Sequence, residues 1–111
     1  MDETYLVRVT EQAQEQLYEI KQYVATCLQA PDTAQRLLKT LQDAMISLDR
    51  FPGRIALTEE EPWRSEGIRK MPVQNFLIYY WIDEENHRVQ VTAVLYGKCD
   101  QARQLAQMDR D

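Results

Sequence analysis

From Tyr5 to Val9 the chain alternates, with Tyr5, Val7 and Val9 on one face and Leu6 and Arg8 on the other, the period-two pattern of a strand. The period then lengthens. Ala13, Leu17, Ile20, Val24 and Leu28 recur at three and four residues and make one apolar stripe on a helix. Thr10 stands where an N-cap is needed, and Glu11 puts an acid in the first turn, where the helix dipole favours it. Pro31 is expected to end this helix. Asp32 then caps a second one, with Gln35 three residues on completing a capping box. Its stripe is Ala34, Leu37, Leu38, Leu41, Met45 and Leu48, and Asp49-Arg50-Phe51-Pro52-Gly53 stops it. Two helices joined by a short break read as an antiparallel hairpin that needs a partner layer.

The second half supplies that layer. Residues 51 to 66, with Pro52, Gly53, Pro62 and the acidic run Glu59-Glu60-Glu61, form a connection longer than most, expected to be functional or mobile. Gly67-Ile68-Arg69 leads into a strand. Phe76, Ile78, Tyr80 and Ile82 alternate with Leu77, Tyr79 and Trp81, so the next strand is apolar on both faces and belongs at the centre of a sheet. After the polar turn Asp83-Glu84-Glu85-Asn86-His87, residues Val89, Val91, Ala93 and Leu95 form one face of a last strand that Gly97 breaks. Gln101 to Met108 fits a short terminal helix. The order β-α-α-β-β-β places a helical hairpin on a small, mainly antiparallel sheet, an α+β architecture in a single domain spanning residues 1 to 111.

Composition narrows the function classes. With 44% hydrophobic and 28% charged residues the chain reads as an ordinary globular domain, and no apolar run approaches the ~20 residues that span a bilayer. The acidic start, Met1-Asp2-Glu3-Thr4, is unlike a signal peptide, so a cytoplasmic location and no membrane partner are expected. Cys27 and Cys99 lack any paired ligand spacing and read as free thiols. With His87 as the only histidine, neither a metal nor a cofactor is expected. The net charge of −5 argues against a surface devoted to gripping phosphates, although Arg64, Arg69, Lys70, Lys98 and Arg103 crowd the second half and would form a basic patch if folded together.

The element order, together with Gly67-Ile68-Arg69, Asn75-Phe76-Leu77-Ile78-Tyr79-Tyr80 and the closing Val94-Leu95-Tyr96-Gly97-Lys98-Cys99-Asp100, resembles the RelE/ParE toxin superfamily of bacterial type II toxin-antitoxin modules over nearly the whole chain. The resemblance implies a growth inhibitor neutralised by a cognate antitoxin and associated with plasmid stabilisation. Its target would be DNA gyrase in the ParE-like branch, or ribosome-bound mRNA in the RelE-like branch. A third reading, a decayed member serving only as an interaction module, stays open. Ribonuclease members need a base, a cation and an acid on the concave sheet face. Carried over, Arg69 matches a basic residue of the second strand and is the best candidate for a catalytic role. Phe76, Cys99 and Leu105 stand where other members of the catalytic set would be. The ending resembles the ParE-like Val-Leu-His-Gly-x-x-Asp with Tyr96 in place of histidine, and the ParE-like branch is therefore preferred.

Each candidate has an ordinary reading beside the functional one. Arg69 meets a phosphate, an antitoxin carboxylate, or a neighbouring loop glutamate in a structural ion pair. Arg64 either joins the same patch or is a solvated loop charge. Lys98, Asp100 and Arg103 lie where a site on the sheet rim is expected, with Asp100 equally suited to cap the terminal helix. Cys99 beside Lys98 is a reactive thiol only in an electropositive pocket. Tyr79, Tyr80, Trp81 and Tyr96 either stack bases or belong to the core. His87 is expected to be exposed. One sheet face is expected to remain under-covered and to receive the antitoxin near Arg69, Tyr80 or Tyr96.

Overall fold

A computed structural model describes residues 4–27, 29–97 and 108. Its elements are β1 (Leu6–Val9), α1 (Glu11–Gln22), α2 (Pro31–Ile46), β2 (Arg69–Val73), β3 (Phe76–Asp83) and β4 (Arg88–Tyr96), in the order the hydrophobic pattern anticipates. The sheet runs β1-β4-β3-β2. β1 pairs with β4 in parallel, and the other two pairs are antiparallel. β3 is interior, as its two apolar faces require.

Thr10 caps α1 as expected, its hydroxyl accepting from the Ala13 amide at 3.3 Å. β1 stops at Val9 opposite Val91, which leaves the edge of β4 open beyond that point. Gln16 accepts from the Val94 amide at 2.8 Å, so a side chain of α1 continues the ladder where the strand ends.

The helix boundaries differ from the expectation at Pro31. α1 ends at Gln22, a π-helical turn carries the chain from Tyr23 to Cys27, and Pro31 begins α2 instead of closing α1. A proline suits a first helical position, where its missing N–H is not needed and its fixed φ is already helical. The capping box of Asp32 and Gln35 is accordingly not made. The cap position is Ala30, with no side-chain bond, and Asp32 contributes from the first turn.

A second correction lies in β4. The register shifts between Tyr79 and Tyr80, which oppose Ala93 and Val91, so Thr92 is an extra residue and the strand changes phase there. Val89 and Val91 face the helices, as does Val94, whereas Ala93 and Leu95 face the other side. The four residues that alternate in sequence are thus split between two cores.

The larger core lies between helices and sheet, around Leu17, Leu41, Met45, Leu48, Ile78, Tyr80, Val89 and Val91. On the opposite face Ile68, Tyr79, Ala93, Leu95 and Met108 form a smaller cluster, with Trp63, Leu77 and Trp81 packed against it. The connection after α2 reaches both layers. Leu57 bridges to Arg69, Thr58 N donates to Ile68 O at 2.9 Å, and the following turn brings Trp63 over the sheet. The connection therefore covers the face that was expected to stay under-covered, because its tryptophan and Ile68 supply the missing apolar layer. The expected terminal helix lies outside the described residues except Met108, which is buried on that same face.

Candidate functional site

Cross-strand pairing decides which way each candidate points. Arg69 opposes Tyr80 and Lys70 opposes Tyr79, and directly opposed residues share a face. Tyr80 belongs to the helix-side core and Tyr79 to the cluster on the far side. Arg69 therefore leaves the sheet on the helix side, and Lys70 leaves it on the open side.

On the helix side Arg69 and Tyr80 hold one loop. Arg69 Nη1 donates to Gly53 O at 3.3 Å and Ile55 O at 2.5 Å, and the Tyr80 hydroxyl donates to Pro52 O at 2.5 Å. Among the described residues no carboxylate pairs with Arg69, and its Nη1 is taken up by backbone carbonyls. Tyr80 is 0% exposed, and burial pushes its hydroxyl up to about 12 against the opposing charges of Arg69 and Arg54. It belongs to the core, the ordinary one of its two readings, and offers no surface for a partner.

On the open side Lys70 pairs with Glu60 at 3.3 Å, and Glu60 also accepts from the Thr58 hydroxyl. Burial raises the Glu60 carboxyl, but bonds from Thr58, its own backbone and Lys70 outweigh it and hold the group below its usual range. Tyr79 lies beneath, fully buried, its hydroxyl without a partner among the described residues. Burial and the nearby Glu60 charge both raise its pKa, so the phenol stays protonated. The rest of this face is largely apolar. Arg64 is exposed and donates to Thr58 O at 3.3 Å. Of the anticipated basic patch, Arg69 and Lys70 are thus divided between faces, while Lys98 and Arg103 lie outside the described residues, as do Cys99, Asp100 and Leu105. Phe76 packs against Tyr96 with ring centroids 5.5 Å apart. His87 is exposed and stacks on Tyr5 at 4.4 Å.

Tyr96, 40% exposed, lines a groove of about 910 Å³ between α1, α2 from Thr33 to Thr40, the turn between β2 and β3, and the end of β4. Its floor includes Ile20, Val24, Leu37 and Val94, and Glu15 and Glu19 are among the polar residues around it. Sequence reasoning reaches Tyr96 but not the groove, because α1 and α2 meet there only through the π-helical turn and the reversal at Gln29, whose φ is 51°. Among the described residues no group of histidines, cysteines or carboxylates is arranged to hold a metal, and no helix is long and apolar enough to cross a membrane.

The model for the ParE toxin of the type II toxin-antitoxin system parDE matches residues 7–100. The chain belongs to this family. Its fold recurs in solved structures. The chromosomal ParDE toxin-antitoxin system of P. aeruginosa has a chain that aligns with a TM-score of 0.70 at 15% identity, over 85% of this chain and 97% of that one. The RelBE2 toxin-antitoxin complex of Mycobacterium tuberculosis aligns at 0.63 with 22% identity, over 84% and 98%. A mutant of the E. coli toxin RelE in the free state aligns at 0.60 with 14% identity, over 91% and 92%. No curated protein is similar to it in sequence to a significant degree. At these identities the structural likeness establishes the RelE/ParE fold, and the family match establishes the toxin family.

Proposed function

We propose that this chain is the toxin of a type II toxin-antitoxin pair, acting in the cytoplasm as a ParE-like inhibitor directed at DNA gyrase and not by cutting mRNA. The observation that carries this reading is the orientation of Arg69. The one strand arginine that the resemblance offers for phosphate chemistry is turned to the helix side and bonded to the carbonyls of residues 53 and 55. On the open face, among the described residues, Lys70 is paired with Glu60, Arg88 with Asp83 at 3.9 Å, Tyr79 is buried and protonated, and Arg8 stands exposed on the edge strand β1, so the face carries cations but no free base beside them. Such a set is poorly matched to taking a 2′-hydroxyl proton and protonating a leaving oxygen.

In this reading the antitoxin binds the groove beside Tyr96. That groove is apolar at its floor and continuous with the end of β4, so a partner segment there would bury surface that the isolated chain leaves wet. Expression of the chain alone should stop growth, and co-expression of an antitoxin encoded beside it should restore growth, with ribosome-bound mRNA uncut throughout. Codon-specific cuts that disappear in Arg69→Ala would replace this reading with the mRNA endonuclease. Undiminished growth at confirmed soluble expression would leave the non-toxic interaction module.

A further inference from the structure

Phe51 is 80% exposed and sits at φ 48°, ψ 51°, the left-handed region that a bulky side chain adopts only under constraint. The constraint comes from three side chains. Tyr80 holds the carbonyl of Pro52, and Arg69 holds those of Gly53 and Ile55. Arg54 closes the loop from the other side, donating from Nη1 to Arg50 O at 2.8 Å and Phe51 O at 3.1 Å, and from Nη2 to Ser47 Oγ at 3.1 Å. A buried tyrosine and two guanidinium groups thus fix a short loop whose product is one phenyl ring held out in water. Glycine would satisfy that backbone without strain, so the ring is not there for the turn.

The surroundings say what kind of surface it meets. Arg50, Arg54 and Arg69 make this tip locally positive, with Asp49 the nearby acid, on a chain whose net charge is −5. Arg54 and Arg69 direct their bonded N–H groups at backbone carbonyls and are poorly placed to track a phosphate backbone. Arg50 is exposed beside the ring in sequence, and its guanidinium makes no ion pair among the described residues. A rigid aromatic with an adjacent arginine has the composition of a protein-interface anchor. We propose that Phe51 is the anchor by which this chain engages its target, a protein surface with an apolar pocket rimmed by carboxylates. The anchor is distinct from the groove proposed for the antitoxin. That groove uses α2 from Thr33 to Thr40, whereas Phe51 follows the end of this 16-residue helix at Ile46. The proposal rests on the toxin reading above.

The test compares growth inhibition by the full chain and its variants at matched soluble expression. Phe51→Gly removes the ring and relieves the backbone, so its Tm should stay within about 3 °C of wild type, a shift under about 1 kcal/mol in a domain this size. Its co-purification with the antitoxin should be unchanged. Its inhibitory dose should nevertheless rise at least tenfold, Arg50→Glu should raise the dose comparably, and Phe51→Trp should stay within about threefold. A photo-crosslinking phenylalanine analogue at position 51 should give adducts in cells that proteinase removes and nuclease does not. Equal inhibition by Phe51→Gly and wild type would overturn the proposal, and nuclease-sensitive adducts would overturn it in favour of a nucleic-acid contact. A wild-type chain that leaves growth unaffected would refute the toxin reading and this proposal with it.

Discussion

Tyr79 and Tyr80 are adjacent, both fully buried, and energetically opposite. The Tyr80 hydroxyl has the Pro52 carbonyl at 2.5 Å, whereas that of Tyr79 has no partner among the described residues. Removing a satisfied hydroxyl strands its acceptor, but removing an unsatisfied one relieves a desolvation cost. Tyr80→Phe should therefore lower stability by about 1–2 kcal/mol, and Tyr79→Phe should be neutral or raise it, as measured by urea midpoints at unchanged m. A larger loss in Tyr79→Phe than in Tyr80→Phe would contradict the bonding described here. Neither difference is visible in the run Leu77-Ile78-Tyr79-Tyr80-Trp81, which says only that both faces are apolar. Arg69 stands out in the sequence as the residue to watch, yet its role depends on carbonyls 14 and 16 residues upstream that no local pattern can place beside it.

At the scale of elements, period carries the reading and phase limits it. The strands and both helices follow from spacing, because strict alternation arises on a strand and the three-four stripe on a helix, and on little else. Pro31 misleads because a proline fits equally well after one helix and at the start of the next. The Thr92 bulge is hidden because Val89, Val91, Ala93 and Leu95 alternate without a break in sequence, and only pairing with Tyr79 and Tyr80 reveals the inserted residue. The connection after α2 resembles a mobile loop because Trp63 stands alone among prolines and acids; its apolar contact is with Ile68 and the sheet, not with sequence neighbours. The groove between α1, α2 and the end of β4 is the element-level proposal to test. Hydrogen exchange should slow in α1, α2 from Thr33 to Thr40 and residues 94–96 when the antitoxin is added, since a ligand that binds only the folded form also raises the free energy of opening. Unchanged exchange in all three segments, with the complex formed, would remove the groove as the interface.

For the whole molecule, the layers separate two tasks. The helix-side core and its clamped loop hold a rigid frame with Phe51 at one end of α2, and the groove proposed for the antitoxin lies toward the other. The centre of the open face, where RNA chemistry would have to occur, is covered by Trp63, Ile68 and Met108 over Tyr79, Lys70 and Arg88 are paired with carboxylates, and Arg8 is exposed at the edge strand. Such a layout suits a toxin that acts by binding. The most direct measurement is DNA supercoiling by purified gyrase in the presence of the purified chain. Supercoiling should fall as the chain is titrated and recover when the antitoxin is added in equal amount. Full supercoiling at every toxin concentration that arrests growth in cells would contradict a gyrase-directed role.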